Sequence, residues 1–248
     1  MTWAEEFYRS QLAWMGIYSG EPDDEHREKV TTIERMAGPG PRRILELGPG
    51  GGQNAAAAAD LGHSVVGVEL VPELAAHAGA LAASRPGMRV INASFYDVEL
   101  DGPFDLVLYW DGFGVGEDAD QGRLLRRIAG WLAPGGCALI DINTPWYWAA
   151  ADGVEMRWES AARRYGFDPD GCRMLDTWWP ADDETRAVSQ SLRCYSPADL
   201  RLLLAGSGLA LDGLEPGGAV SYEDFSWEPR VELGRAMQYT ARLVREGG

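Results

Sequence analysis

Two glutamates and three alternating glycines are the residues of this chain whose types and spacing could do chemistry. Glu46 follows the apolar Ile44-Leu45 and leads into Leu47-Gly48-Pro49-Gly50-Gly51-Gly52, with glycines at 48, 50 and 52. Glycine has no Cβ and tolerates positive φ, so such a turn lets backbone approach a ligand closely. Glu69 ends a second short run, His63-Ser64-Val65-Val66-Gly67-Val68. A carboxylate at the tip of a second strand can accept hydrogen bonds from both hydroxyls of a ribose. Two nucleoside-bearing ligand classes use that geometry, and the glycines separate them. The dinucleotide fingerprint G-x-G-x-x-G needs its third glycine at position 53, where Gln53 stands. A pyrophosphate favours a helix N-terminus, so the spacing here points to a nucleoside without one.

The pattern E-x-G-x-G-x-G, from Glu46 to Gly52, resembles motif I of the class I S-adenosylmethionine-dependent methyltransferases. The resemblance runs in order over about residues 42–145. Val90-Ile91-Asn92-Ala93-Ser94-Phe95 resembles the third strand and its loop, Phe104 to Trp110 the fourth, and Ala133-Pro134-Gly135-Gly136 the turn into the fifth. A weaker likeness continues through Tyr195-Ser196-Pro197-Ala198-Asp199-Leu200 and Gly206 to Leu209. The likeness is to small-molecule methyltransferases of natural-product and amino-sugar type. It implies S-adenosylmethionine as cofactor, S-adenosylhomocysteine as product, and no metal. Glu46 would then organise the glycine loop near the cofactor's amino-acid end. Backbone at Gly48 and Tyr109 would accept from its ammonium, while Gly50 and Gly52 permit close approach. Glu69 would take the ribose hydroxyls, Leu70 would touch the adenine, and Ser94 with Phe95 would complete the adenine pocket. The family often has Asp where Ser94 stands.

Catalysis and acceptor binding are less marked. Asp111, just past the fourth strand, lies where the methyl group should emerge; it could accept a proton or orient a cationic amine. A turn-forming Asp before Gly112 is an equally good reading. Trp110, Trp146 and Tyr147 are candidates for lining the acceptor pocket, and Arg193 for binding an anionic acceptor, although a surface strand arginine is the commoner case. Asn143-Thr144-Pro145-Trp146 does not match the Asn-Pro-Pro-Tyr motif of amino methyltransferases, because it follows the fifth strand and lacks one proline.

Positioning these residues requires a doubly wound, Rossmann-like α/β sheet. The expected fold is a seven-stranded, mostly parallel sheet with an antiparallel last strand. Residues 3–18 place Trp3, Phe7, Leu12, Trp14, Met15 and Tyr18 at helical spacing, and Asp23-Asp24 can cap a second helix to about residue 37. Residues 1–40 thus read as a helical lid, and 41–145 with 196–248 as the methyltransferase core. Residues 146–195 read as an aromatic-rich, acceptor-side insertion. Within it, two strands, 173–179 and 186–194, flank Pro180 to Glu184 as a hairpin. Its aromatics could hold apolar rings or cations, or pack the insertion or a subunit interface, which leaves a homo-oligomer open.

The 248 residues, 46% hydrophobic and 24% charged, have an ordinary globular composition. No apolar run approaches the roughly 20 residues that span a bilayer, and the acidic N-terminus lacks a signal peptide's basic region. The sequence-based expectation is a cytoplasmic protein without a membrane partner. A net charge of −16, with Lys29 the sole lysine, would be repelled by a phosphate backbone, which argues against nucleic acid. Cys137, Cys172 and Cys194, with His26, His63 and His77, form no metal-ligand spacing. The resulting expectation is methyl transfer to N, O or C of a small molecule, in secondary metabolism. The rivals are a cyclase or lyase using the cofactor only structurally, and a non-catalytic binding protein.

Overall fold

Local chemistry fixes the N-terminal helices. The computed structural model describes residues 3–247. Helix α1 (Trp3–Met15) buries Phe7 and Gln11. Helix α2 (Asp24–Ala37) starts at Asp23, whose carboxylate accepts from the His26 N–H at 3.1 Å, and stops at Gly38. The sheet then begins with β1 (Arg43–Leu47), followed by α3 (Gln53–Asp60), β2 (Ser64–Glu69), α4 (Pro72–Ala82) and β3 (Met88–Asn92). Strand β4 (Phe104–Tyr109), helix α5 (Asp118–Trp131) and strand β5 (Leu132–Asn143) complete the parallel half.

In β1 the side chains alternate between faces. Ile44 packs with Ala55, Ala56, Val30 and Ile33 on one side of the sheet. Leu45 and Leu47 pack with Leu124, Ile128 and Leu200 on the other. Four buried alanines, Ala55 to Ala58, let α3 lie close to the strands.

After β5, a short helix α6 (Pro145–Ala150) leads into the insertion. A hairpin was expected; four antiparallel strands are found, β6 (Glu155–Arg157), β7 (Ala161–Asp168), β8 (Arg173–Pro180) and β9 (Val188–Arg193), in that order. The extra pair escaped because Arg163, Arg164 and Gly166 interrupt any apolar alternation in β7. Helix α7 (Pro197–Leu204), strand β10 (Leu209–Pro216), a small hairpin of β11 (Ala219–Val220) and β12 (Trp227–Glu228), and strand β13 (Gln238–Arg245) close the chain. That small hairpin had no expected counterpart.

The main sheet has the order β10-β13-β5-β4-β1-β2-β3. Strands β1 to β5 pair in parallel, and β13 runs antiparallel to both β5 and β10. The expected seven-stranded, mostly parallel architecture with preceding helices is therefore present. Among the described residues no helix is long and apolar enough to cross a membrane.

Candidate functional site

The carboxyl ends of β1, β2 and β4 open into a cavity of about 540 Å³, walled above by α1 and its following turn and on one flank by the insertion sheet. Ligands of open α/β sheets gather at this edge. Glu46, Gly48, Gly50, Glu69, Leu70, Phe95, Tyr109, Trp110 and Asp111 all line it, so most of the residues singled out in sequence meet in one place.

Glu46 is almost fully buried. Burial, reinforced by the neighbouring Glu69, pushes its carboxyl up to about 8. Among the described residues its Oε2 has no hydrogen-bond partner, and neither do Asn54 Oδ1 and Trp110 Nε1, although all three residues line the cavity. Glu69 Oε2 accepts from the Gly50 N–H at 2.9 Å and Oε1 from the Val71 N–H at 2.8 Å. Burial raises its carboxyl, and those backbone donors oppose the rise. Asn92, not singled out in sequence, donates to the Glu69 and Leu70 carbonyls at 2.9 and 3.0 Å and so fixes the end of β2.

The glycine turn meets the helices directly. A Cβ on Gly51 would stand 1.8 Å from the Tyr18 carbonyl oxygen, and the Tyr18 ring covers Gly50. His77 bridges the same two segments: its Nδ1 meets the Gly51 carbonyl at 2.8 Å, and its Nε2 accepts from the Gly20 N–H at 3.0 Å. Two expected positions fall elsewhere. Gly52, in the left-handed region at φ 87°, leaves room for Ala78, 2.6 Å from where its Cβ would be, and does not line the cavity. Ser94 Oγ accepts from the Tyr96 N–H at 3.1 Å and closes a turn outside the lining.

Tyr109 donates to the Gly112 carbonyl at 2.7 Å, folding the loop after β4 back on itself. Asp111 sits at its tip with φ 56°, exposed, on the lining of the cavity. Desolvation by the surrounding protein and Asp141 raise its carboxyl to about 6, while Lys29 and Arg163 pull the other way. Lys29 pairs with Asp141, and its Nζ lies 4.5 Å from the centroid of the Trp110 ring.

Three acceptor-side candidates lie apart from this cavity. Trp146 and Tyr147 line a separate cavity of about 260 Å³ against the β11–β12 hairpin. There the Trp146 indole donates to the Leu233 carbonyl at 2.9 Å, and Tyr147 bonds the Tyr222 hydroxyl at 2.9 Å. Helix α6 turns them away from the end of β5. Arg193 lies outside both cavities. It donates to the Cys194 carbonyl, pairs with Asp118 at 3.3 Å and covers the Tyr195 ring.

The flank opposite the glycine turn is instead made by Tyr8, Trp158, Arg163, Asp176, Trp178 and Gln190. Asp176 is wholly buried. It accepts from Arg163 Nε and Nη2 at 2.7 and 2.8 Å, from the Trp178 indole at 3.1 Å and from Gln190 at 3.2 Å. Tyr8 on α1 donates to Gln190 at 3.2 Å, tying the helix to this network. Trp158 stacks on Trp178, centroids 5.3 Å apart. The aromatic richness of 146–195 signalled Trp158 and Trp178. Arg163 and Asp176 had no local signal, because strand pairing brings them together: Tyr165 stands opposite Asp176 and Arg163 opposite Trp178. Among the described residues no group of three or more His, Cys, Asp or Glu could hold a metal ion.

Over residues 44–136 the chain matches a family described as a methyltransferase domain. No curated protein matches it. Among solved structures, the CcbJ methyltransferase from Streptomyces caelestis superposes with a TM-score of 0.72 at 21% identity, covering 90% of each chain. The sugar N-methyltransferase KedS8 from Streptoalloteichus gives 0.60 at 24% identity, over 98% of this chain and 93% of that one. The glycopeptide N-methyltransferase MtfA, complexed with S-adenosyl-L-methionine, gives 0.59 at 21%, over 96% and 97%.

Proposed function

We propose that this chain, whose residues 44–136 match a methyltransferase domain and whose fold is shared with S-adenosylmethionine-dependent methyltransferases, moves a methyl group from that cofactor to a small-molecule acceptor. The observation that carries the reading is that three residues lining the cavity each keep a buried polar atom with no partner among the described residues. Glu46 Oε2 and Asn54 Oδ1 are acceptors, and Trp110 Nε1 is a donor. A buried polar atom left unpaired costs about 1–3 kcal/mol. A ligand end carrying both an ammonium and a carboxylate complements this set; a nicotinamide dinucleotide has no such end. When bound, the cofactor supplies an electrophilic methyl on a sulfonium.

Glu46 and Asn54 hold the ammonium, Glu69 takes the ribose hydroxyls on lone pairs its backbone donors leave free, and Leu70 with Phe95 flanks the base. Residues 1–40 serve as the lid and 146–195 as the acceptor-side insertion on a core of 41–145 and 196–248. Asp111 serves the acceptor. A carboxylate near 6 is a weak base, matched to an amine that must shed a proton rather than to an alcohol. Nitrogen is therefore the favoured nucleophile among N, O and C. The activities of KedS8 and MtfA, N-methylation of a sugar and of a glycopeptide, support a role in natural-product chemistry, which we assign to the cytoplasm.

Titration calorimetry tests the cofactor: S-adenosylhomocysteine should bind and NAD should not, and selective NAD binding would overturn the reading. S-adenosylhomocysteine formed in step with acceptor consumption separates methyl transfer from a cyclase, a lyase or a binding protein.

A further inference from the structure

The acceptor flank contains an arginine whose pairing is only half used. Asp176 occupies the Nε–Nη2 edge of the Arg163 guanidinium. The Tyr165 and Trp178 rings lie against it, 4.1 and 5.0 Å from Cζ. Nη1 has no partner among the described residues, and the side chain keeps 22% of its surface open while lining the cavity. What remains presentable is the second fork, made by Nη1 and the outer hydrogen of Nη2. Asp176 accepts from four donors, three of them on Oδ2, and is wholly buried, so it holds the guanidinium in place. An arginine fork selects two oxygen lone pairs side by side.

We propose that Arg163 is the specificity-determining residue of the acceptor half-site, and that its free fork takes an oxygen group carried by the acceptor amine. This rests on the reading of the cavity as a methyl-transfer site. Asp111 and Arg163 both face that cavity, so the acceptor places its nitrogen at the carboxylate and its oxygens at the guanidinium. Trp158 and Trp178 supply aromatic surface on the same flank. A carboxylate and a hydroxyl or diol offer the same chemistry to the fork. The nearby Glu69 and Asp111 penalise the carboxylate, and experiment distinguishes the two sources.

Three benzylamines of similar shape make the test: para-methyl, para-hydroxymethyl and para-carboxy. Each is titrated into protein saturated with S-adenosylhomocysteine, reading tryptophan fluorescence and calorimetry. At least one oxygen-bearing probe should bind roughly tenfold or more tighter than the methyl probe. Whichever of the two binds tighter identifies the oxygen source. In Arg163→Lys, which leaves Asp176 a cation but removes the fork, that preference should vanish while S-adenosylhomocysteine affinity stays unchanged. In Arg193→Lys, outside the cavity, the preference should persist. Equal binding of all three probes, no binding of either oxygen probe, or a preference that survives Arg163→Lys would overturn the proposal. Failure of S-adenosylhomocysteine to bind the wild-type protein would instead strike the cofactor reading; the probe series is then read on the ligand-free protein.

Discussion

The two flanks of the cavity are built on opposite plans. On the glycine-turn side, Glu46, Asn54 and Trp110 each keep a buried polar atom without a partner among the described residues. On the insertion side, both Asp176 oxygens are hydrogen-bonded and the network reaches through Gln190 to Tyr8 on α1. Unpaired buried groups are costly, and a polar ligand in the first flank would relieve that cost. The second is complete without one, and its cost falls on whatever disturbs it. One flank should report its mutations in binding, the other in folding.

The largest expected effect breaks the closed network. Asp176→Ala strands a mostly buried guanidinium and should cost about 3–5 kcal/mol of stability, read by urea denaturation, with a loss under 1 kcal/mol counting against the contrast. Glu69→Ala should weaken S-adenosylhomocysteine by roughly 2–5 kcal/mol through the lost ribose bonds, measured by calorimetry. Unchanged affinity in a folded variant would remove Glu69 from the binding flank. Asp111→Asn, a residue type that tolerates φ 56°, should slow turnover by about a hundredfold with cofactor affinity preserved. In the wild type, kcat/KM should fall as the pH drops below about 6, where Asp111 takes up its proton.

The smallest effect is the most diagnostic. Glu46 titrates near 8 in the folded protein, above its ordinary value of 4.5. The folded state therefore holds more protons than the unfolded state between those values, and this group's contribution to stability declines as pH rises through that window. Glu46→Gln should flatten that decline in ligand-free protein. An ammonium beside Glu46 favours its ionised form, so binding S-adenosylhomocysteine at neutral pH should release protons. Calorimetry in buffers of different ionisation enthalpy should register the release in wild type and lose it in Glu46→Gln.

The two flanks also differ in how far they could be read from sequence. Glu46, Gly48, Gly50, Glu69 and Tyr109 lie at strand ends within runs whose apolar pattern and glycines announce them, and β1, β2 and β4 carry them to one edge. Gly52 and Ser94 carry the same local signal, yet contacts with Ala78 and Tyr96 give them structural work. The insertion flank depends on strand register across β7, β8 and β9, which no local pattern encodes. Trp146 and Tyr147 show the same dependence in reverse: the β11–β12 hairpin, which no local pattern announces, packs against their aromatic surfaces.

The His77 bridge has a consequence for how the cavity's mouth behaves. The Gly51 carbonyl can only accept and the Gly20 N–H can only donate, so the imidazole joining them must carry its hydrogen on Nδ1 and keep Nε2 bare. A second proton would set N–H against N–H. The clasp between glycine turn and helical cover thus exists for one tautomer of the neutral ring.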